Sequence, residues 1–171
     1  MLYKIVKYGN PILEAPCDPV TDFSTAVLDK LVADMFDTMY ANKGVGLAAP
    51  QIGINKRLTV IDISAGEDQA EQRVFINPEI VTKEGVQVGE EGCLSIPGFR
   101  EDVTRAKKAR VRAQNVKGES FEIEVDELLS RAVQHELDHL NGVLFISHLS
   151  PLKRDMIRRK IRKLQKNGEW E

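Results

Sequence analysis

Histidine and cysteine are scarce in this chain, three and two residues of 171, and two histidines stand four positions apart in His135-Glu136-Leu137-Asp138-His139. On a helix, four residues advance about 400°, which leaves both imidazoles on one face within reach of a single metal ion. Glu136, offset by roughly 100°, would stand beside such a metal rather than on it, where a general base for water belongs. The bland alternative is a solvated helix with two incidental histidines. It is disfavoured because both fall on the apolar stripe of their segment, where unpartnered imidazoles are costly to bury.

A metal site needs a further protein ligand. In one protease pattern a third histidine follows H-x-x-G-x-x; here Gly142 matches, but Phe145 holds the ligand position. His148, nine residues past His139, reads as a surface or core histidine. Cys93 sits in Glu90-Glu91-Gly92-Cys93-Leu94-Ser95, expected to be a glycine-flanked turn where backbone can approach another element. One thiolate, two histidines and an open position form an acceptable catalytic set, although a lone cysteine is more often a small core residue. Cys17, between Pro16 and Asp18-Pro19, takes that core reading. A second motif misleads: Gly44, Gly46 and Ala49 satisfy a G-x-G-x-x-A dinucleotide fingerprint. That fingerprint needs a strand before it and a helix after it, whereas here a helix precedes and Pro50 follows.

Three helices are expected to position these residues. Residues 24–42 carry Leu28, Leu31, Val32, Met35, Phe36 and Met39 at helical spacing, with Gly44 as a stop. Residues 126–141 form the metal-binding helix, with Asp126 as its cap, Gly142 as its left-handed end, and Leu128, Ala132, His135 and His139 on one stripe. Residues 151–166 follow Ser150-Pro151, a cap and a first-turn proline. Residues 44–53 read as an ordered loop, and β-rich runs at 58–63, 73–76, 79–88, 109–113 and 120–125 are too closely spaced for repeated βαβ units. The expected fold is one α+β domain over residues 1–171: antiparallel β-sheets around a central metal-binding helix, with an N-terminal and a C-terminal helix.

With 42% hydrophobic residues and a net charge of −2, disorder is excluded, and the longest uncharged stretch is broken by Pro50 and glycines, so no membrane span is expected. Two cysteines and no signal-like opening segment point to the cytoplasm.

Together, Gly44-Val45-Gly46-Leu47-Ala48-Ala49-Pro50-Gln51, Glu91-Gly92-Cys93-Leu94-Ser95 and Gln134-His135-Glu136-Leu137-Asp138-His139-Leu140-Asn141-Gly142 resemble the three signature motifs of the peptide deformylases, in order and spacing. The resemblance implies removal of the formyl group from the formyl-methionine of nascent peptides. It implies that Cys93, His135 and His139 bind one divalent metal, Fe²⁺ in the native enzyme, with Zn²⁺, Ni²⁺ or Co²⁺ able to replace it in a purified sample. It assigns Glu136 to proton transfer, and Gln51 with the Leu94 N–H to the oxyanion. Val45, Gly46 and Gly92 would line the peptide groove, and Leu128 and Ala132 an apolar methionine pocket. Glu91 would orient the metal loop, with Arg105 its expected partner; Gly98-Phe99 and Arg131 receive no role.

From Pro151 onward there are eight basic and three acidic residues, a net +5 that leaves −7 for residues 1–150. Ile157, Ile161 and Leu164 share one stripe, opposite Arg158, Arg159, Lys160, Arg162, Lys163 and Lys166. A docked helix with a solvated basic face is one reading. The resemblance favours the other, weak contact with ribosomal RNA, with no DNA or membrane partner and a monomeric enzyme. Two rivals remain: a zinc peptidase, opposed by Cys93 and Phe145, and a metal-stabilised ribosome-binding module, which would need neither Glu136 nor Gln51.

Overall fold

The computed structural model describes residues 1–170. Helix α1, Ala26–Ala41, begins where the Thr25 side chain accepts from the Leu28 N–H, and it buries the six apolar residues of the expected stripe. Its stop differs from expectation: the left-handed residue is Lys43, at φ 58°, while the Gly44 N–H closes on the Met39 carbonyl at 2.9 Å.

Residues 44–53 are more ordered than a loop. They hold strand β1, Gly46–Ala48, and a 3-10 turn over Ala49–Ile52, because Gly46, Leu47 and Ala48 pair antiparallel with Ile61, Val60 and Thr59. Those partners lie in β2, Leu58–Ile61, which in turn pairs with β3, Arg73–Glu84. The run expected over 79–88 is split at Gly85, at φ 70°, where the chain turns from β3 into β4, Gln87–Cys93. Cys93 thus ends a strand instead of sitting in a turn. Strand β5, Ile96–Arg105, had no legible sequence signal, since Pro97, Gly98, Arg100, Glu101 and Asp102 obscure any apolar alternation. Next come β6, Lys108–Gln114, and β7, Ser120–Asp126. The main sheet runs β1-β2-β3-β6-β7, entirely antiparallel, and β4-β5 form a separate two-stranded sheet.

Helix α2, Glu127–Leu140, packs Ala132, Val133 and Leu137 into the core formed with Phe75, Val111 and Val125 of the main sheet. Asp126 stands at its N-cap position, but its side chain makes no capping bond; Glu127 enters at φ 49° and its N–H bonds the Lys107 carbonyl. The expected side-chain cap is therefore replaced by a tertiary backbone bond. At the other end Gly142 adopts φ 76° and the Val143 N–H returns to the Asp138 carbonyl at 2.8 Å, as the expected left-handed stop requires.

Helix α3, Pro151–Lys166, starts with the Ser150 side chain accepting from the Lys153 N–H. It docks through Ile157 and Ile161 onto a core containing Leu13, Ile96, Leu144, Phe145 and Ile146, with Leu164 partly buried beside them. Among the described residues no helix is long and apolar enough to cross a membrane.

Gly142 joins two constraints, a left-handed backbone and a neighbour: a Cβ there would stand 2.8 Å from the backbone carbonyl of Glu14. Gly142→Ala should therefore lower stability by about 2–4 kcal/mol, as backbone strain and overpacking add. Urea unfolding checks this, and a loss below about 0.5 kcal/mol, the size of an ordinary surface substitution, would contradict it.

Candidate active site

Four-residue spacing on α2 points His135 and His139 at one place, with their Nε2 atoms 3.2 Å apart. The end of β4 brings Cys93 Sγ to 3.3 Å from His139 Nε2. The three donor atoms all lie within 4.8 Å of one another. Tetrahedral coordination with bonds of about 2.0–2.3 Å needs donor separations of about 3.3–3.6 Å, close to what the protein provides. The donor chemistry fits as well. Burial holds His139 well below the usual histidine value, so its ring is neutral and offers a lone pair. At His135 burial pulls the same way, but Cys93 and Glu91 outweigh it and push the ring up to about 10.

Glu91 is buried between two arginines and a histidine. It accepts from Arg105 Nε and Nη2, both at 2.9 Å, from Arg131 Nη1 at 2.6 Å, and from His135 Nδ1 at 2.8 Å. Burial would raise its pKa, yet the hydrogen bonds and charges of Arg105 and His135 hold it well below the usual carboxylate range. This carboxylate fixes the His135 tautomer, leaving Nε2 free to ligate. Beyond it, Arg105 Nη1 reaches Asp138 at 2.6 Å, and Asp138 pairs with His148 at 2.8 Å. His148 is thus an exposed residue hydrogen-bonded to Asp138 and outside the donor set.

Glu136 lies on the opposite side of the donors. Burial pushes its carboxyl up to about 7, and its Oε2 has no hydrogen-bond partner. Its other oxygen packs on β1: a Cβ at Gly46 would fall 2.6 Å from Oε1. Only glycine permits that approach. The 3-10 turn after β1 delivers Gln51, whose Oε1 accepts from the Ala48 N–H at 2.9 Å. Its Nε2 consequently faces inward, 3.4 Å from Cys93 Sγ and 3.2 Å from Ser95 Oγ.

These groups stand in a cleft of about 480 Å³ between β1 and the β4-β5 sheet. Val45, Gly46, Gly92, Leu94, Leu128 and Ala132 all line it, with Leu128 at the exposed rim and Ala132 buried. The opposite wall is a bulge. The β4-β5 register jumps from Gly92–Arg100 to Cys93–Ile96, so residues 97–99 loop out. Every residue singled out in the sequence for ligation, proton transfer, the oxyanion or the peptide is brought to this cleft or to its donor set. Sequence reasoning missed Arg131, which also donates to the Val103 carbonyl at 2.9 Å, and Ser95 beneath Gln51. Neither had a signal, because an arginine one turn before a histidine reads as solvent-facing until the packing is known.

An antiparallel α+β fold with one thiolate, two imidazoles and an adjacent buried carboxylate in one cleft defines a single-metal hydrolase. The family model described as polypeptide deformylase matches residues 2–155. Among curated relatives, the peptide deformylase of Acidobacterium capsulatum is 60% identical over 170 residues, 99% of each chain, and that of Chromobacterium violaceum is 50% identical over 98% of each. The crystal structure of a peptide deformylase from Legionella pneumophila superposes with a TM-score of 0.90 at 47% identity, covering 100% of this chain and 99% of that one. The Thermus thermophilus peptide deformylase gives 0.86 at 41% identity, covering 95% and 94%. The chain belongs to the polypeptide deformylase family.

Glu91→Gln keeps the shape but removes the charge that two arginines and His135 surround. Metal affinity, read by competition with a chelator, should fall about 10- to 100-fold. Unchanged affinity would show that the carboxylate does not orient the donors.

Proposed function

We propose that this enzyme removes the formyl group from the N-terminal formyl-methionine of newly made peptides, releasing formate, with Cys93, His135 and His139 holding one divalent metal. The observation that carries the proposal is the unpartnered, buried Glu136 carboxylate beside a three-donor set at the floor of a peptide-sized cleft. The metal, when bound, supplies a Lewis acid that polarises the formyl oxygen and acidifies water. Iron(II) is our assignment for the native ion; one thiolate and two imidazoles also suit zinc, nickel or cobalt.

The protein's own groups perform the rest. Glu136 takes the proton of the attacking water as its oxygen bonds to the formyl carbon, and later delivers it to the amine as the C–N bond breaks. A carboxyl whose pKa burial has raised to about 7 is suited to both halves of that transfer. The Gln51 amide, already turned inward by the Ala48 N–H, donates to the developing oxyanion together with the Leu94 N–H. Backbone at Val45, Gly46 and Gly92 holds the extended peptide, and Leu128 and Ala132 form part of the apolar methionine pocket. The remaining assignments are one catalytic domain over the whole chain, a monomeric state and a cytoplasmic location.

Formate release from a formyl-methionyl peptide by metal-loaded enzyme tests this directly. Glu136→Ala should lower kcat about 10²- to 10⁴-fold while retaining metal, and Cys93→Ser should lose metal as well. No formate from the metal-replete wild type would end the proposal.

The basic face of α3 is assigned to weak ribosome contact through phosphate. Arg159, Arg162, Lys163 and Lys166 are exposed, whereas Ile157 and Ile161 belong to the core, so charge reversal is a cleaner test than truncation. Replacing the four by Glu should abolish co-sedimentation with ribosomes at low salt without unfolding the enzyme. Equal pelleting of variant and wild type would remove this docking role.

A further inference from the structure

The bulge at residues 97–99 forms a wall of the cleft, yet little in its own sequence holds it in one shape. Gly98 stands at φ 87° with open space about it, and Phe99 is half-buried. Behind Phe99 stands Trp170, the single tryptophan of the chain. The two ring centroids are 6.2 Å apart with planes at 64°, an edge-to-face pair.

Trp170 arrives there by a tight reversal after α3. Gly168 adopts φ 70° and the Glu169 N–H returns to the Leu164 carbonyl at 2.9 Å, the pattern of a glycine-terminated helix. The tryptophan is buried, and its indole N–H donates to the Tyr8 carbonyl at 2.8 Å. The Tyr8 N–H in turn donates to the Ser95 carbonyl at 2.9 Å, and Ser95 Oγ accepts from Gln51. One side chain therefore touches the 97–99 wall by its ring and, by its N–H, the Tyr8 backbone that is bonded in turn to Ser95. The family model ends at residue 155, so this contact lies outside what the match covers.

We propose that Trp170 is a positioning residue for the peptide substrate: it braces Phe99, and through it the 97–99 wall, against the residues that follow the formyl-methionine. A glycine-containing bulge without a brace must be ordered when the peptide binds, and that ordering weakens affinity. A braced wall is ordered beforehand. Trp170 does not touch the reacting atoms, so its removal affects binding and leaves the chemical step alone. The inference rests on reading the cleft as the formyl-peptide site.

Kinetics on formyl-Met-Ala-Ser with W170A, W170F, F99A and the double variant W170A/F99A test it. W170A should raise KM about two- to tenfold, the size of an aromatic pair, and keep kcat within about twofold and metal content unchanged. W170F retains a ring against Phe99 and should restore most of the lost affinity. The double variant should be no worse than F99A alone, as expected when the two residues act through one contact. An unchanged KM in W170A, a loss confined to kcat, or additive losses in the double variant would overturn the proposal. If W170A does not fold, the wild-type emission decides: with one tryptophan, titration with the product Met-Ala-Ser should shift its spectrum, and F99A should abolish that shift. A silent spectrum in the folded wild type counts against the brace. Absence of formate from the wild type itself would instead strike the functional reading on which the inference rests.

Discussion

A carboxylate sealed from water stays ionised only where donors surround it, and the arrangement of donors around Glu91 organises this active site. Glu91 comes from β4, Arg105 from β5, and Arg131 and His135 from α2, so one side chain ties the two-stranded sheet to the helix that carries two members of the three-donor set. Removing any single partner would leave the others buried around an incomplete charge, which typically costs several kcal/mol. The same constraint dictates the neighbours. Gly89 packs closely on the guanidinium, since a Cβ there would stand 3.2 Å from Arg131 Nη2, and Arg105 finds a second acceptor in Asp138. Asp138, the fourth residue of the His-Glu-x-x-His segment, is therefore not a free position in this chain.

The opposite side of the donor set obeys a different rule. Glu136 is useful because it lacks partners: its Oε2 has no donor, and its pKa is raised by burial. The protein tolerates this by closing backbone over it, with Gly46 giving up a side chain so that β1 can approach. Two carboxylates within one site are thus driven apart. Paired with arginines, Glu91 is held in the charged form; desolvated and unpaired, Glu136 has its pKa pushed the opposite way.

How much of this was legible in the sequence depends on the range over which each feature is encoded. The His135/Glu136/His139 geometry follows from helical spacing alone, and the stripes on α1 and α3 were read correctly from theirs. The Glu91–Arg105 pair was expected, with Arg105 as the first candidate partner, and the structure contains it. By contrast, the Glu91–Arg131 bond spans 40 residues, and nothing near either residue announces the other. Strand β5 escaped for a local reason: its Pro97-Gly98-Phe99 bulge and charged run break alternation where the register jumps. Cys93 was placed in a turn because glycine flanks it, but Gly92 serves the close packing of Arg100 across the hairpin. Spacing carries short-range geometry; long-range pairs emerge only with the sheet.

The charge division between body and tail acquires a structural meaning from the same contacts. Helix α3 offers few apolar anchors, chiefly Ile157 and Ile161, and its basic side chains repel one another along the opposite face. Such a helix is marginal by itself, and tertiary packing must supply its stability. That packing is shared with the catalytic region, because Ile96 of β5 and Phe145, whose ring stacks on His135 at 6.2 Å, lie in the same apolar cluster as Ile157, Ile161 and Trp170. A basic surface could have been appended anywhere on an acidic body. Here it grows from a helix whose buried face is continuous with the apolar core that also holds Ile96 and Phe145.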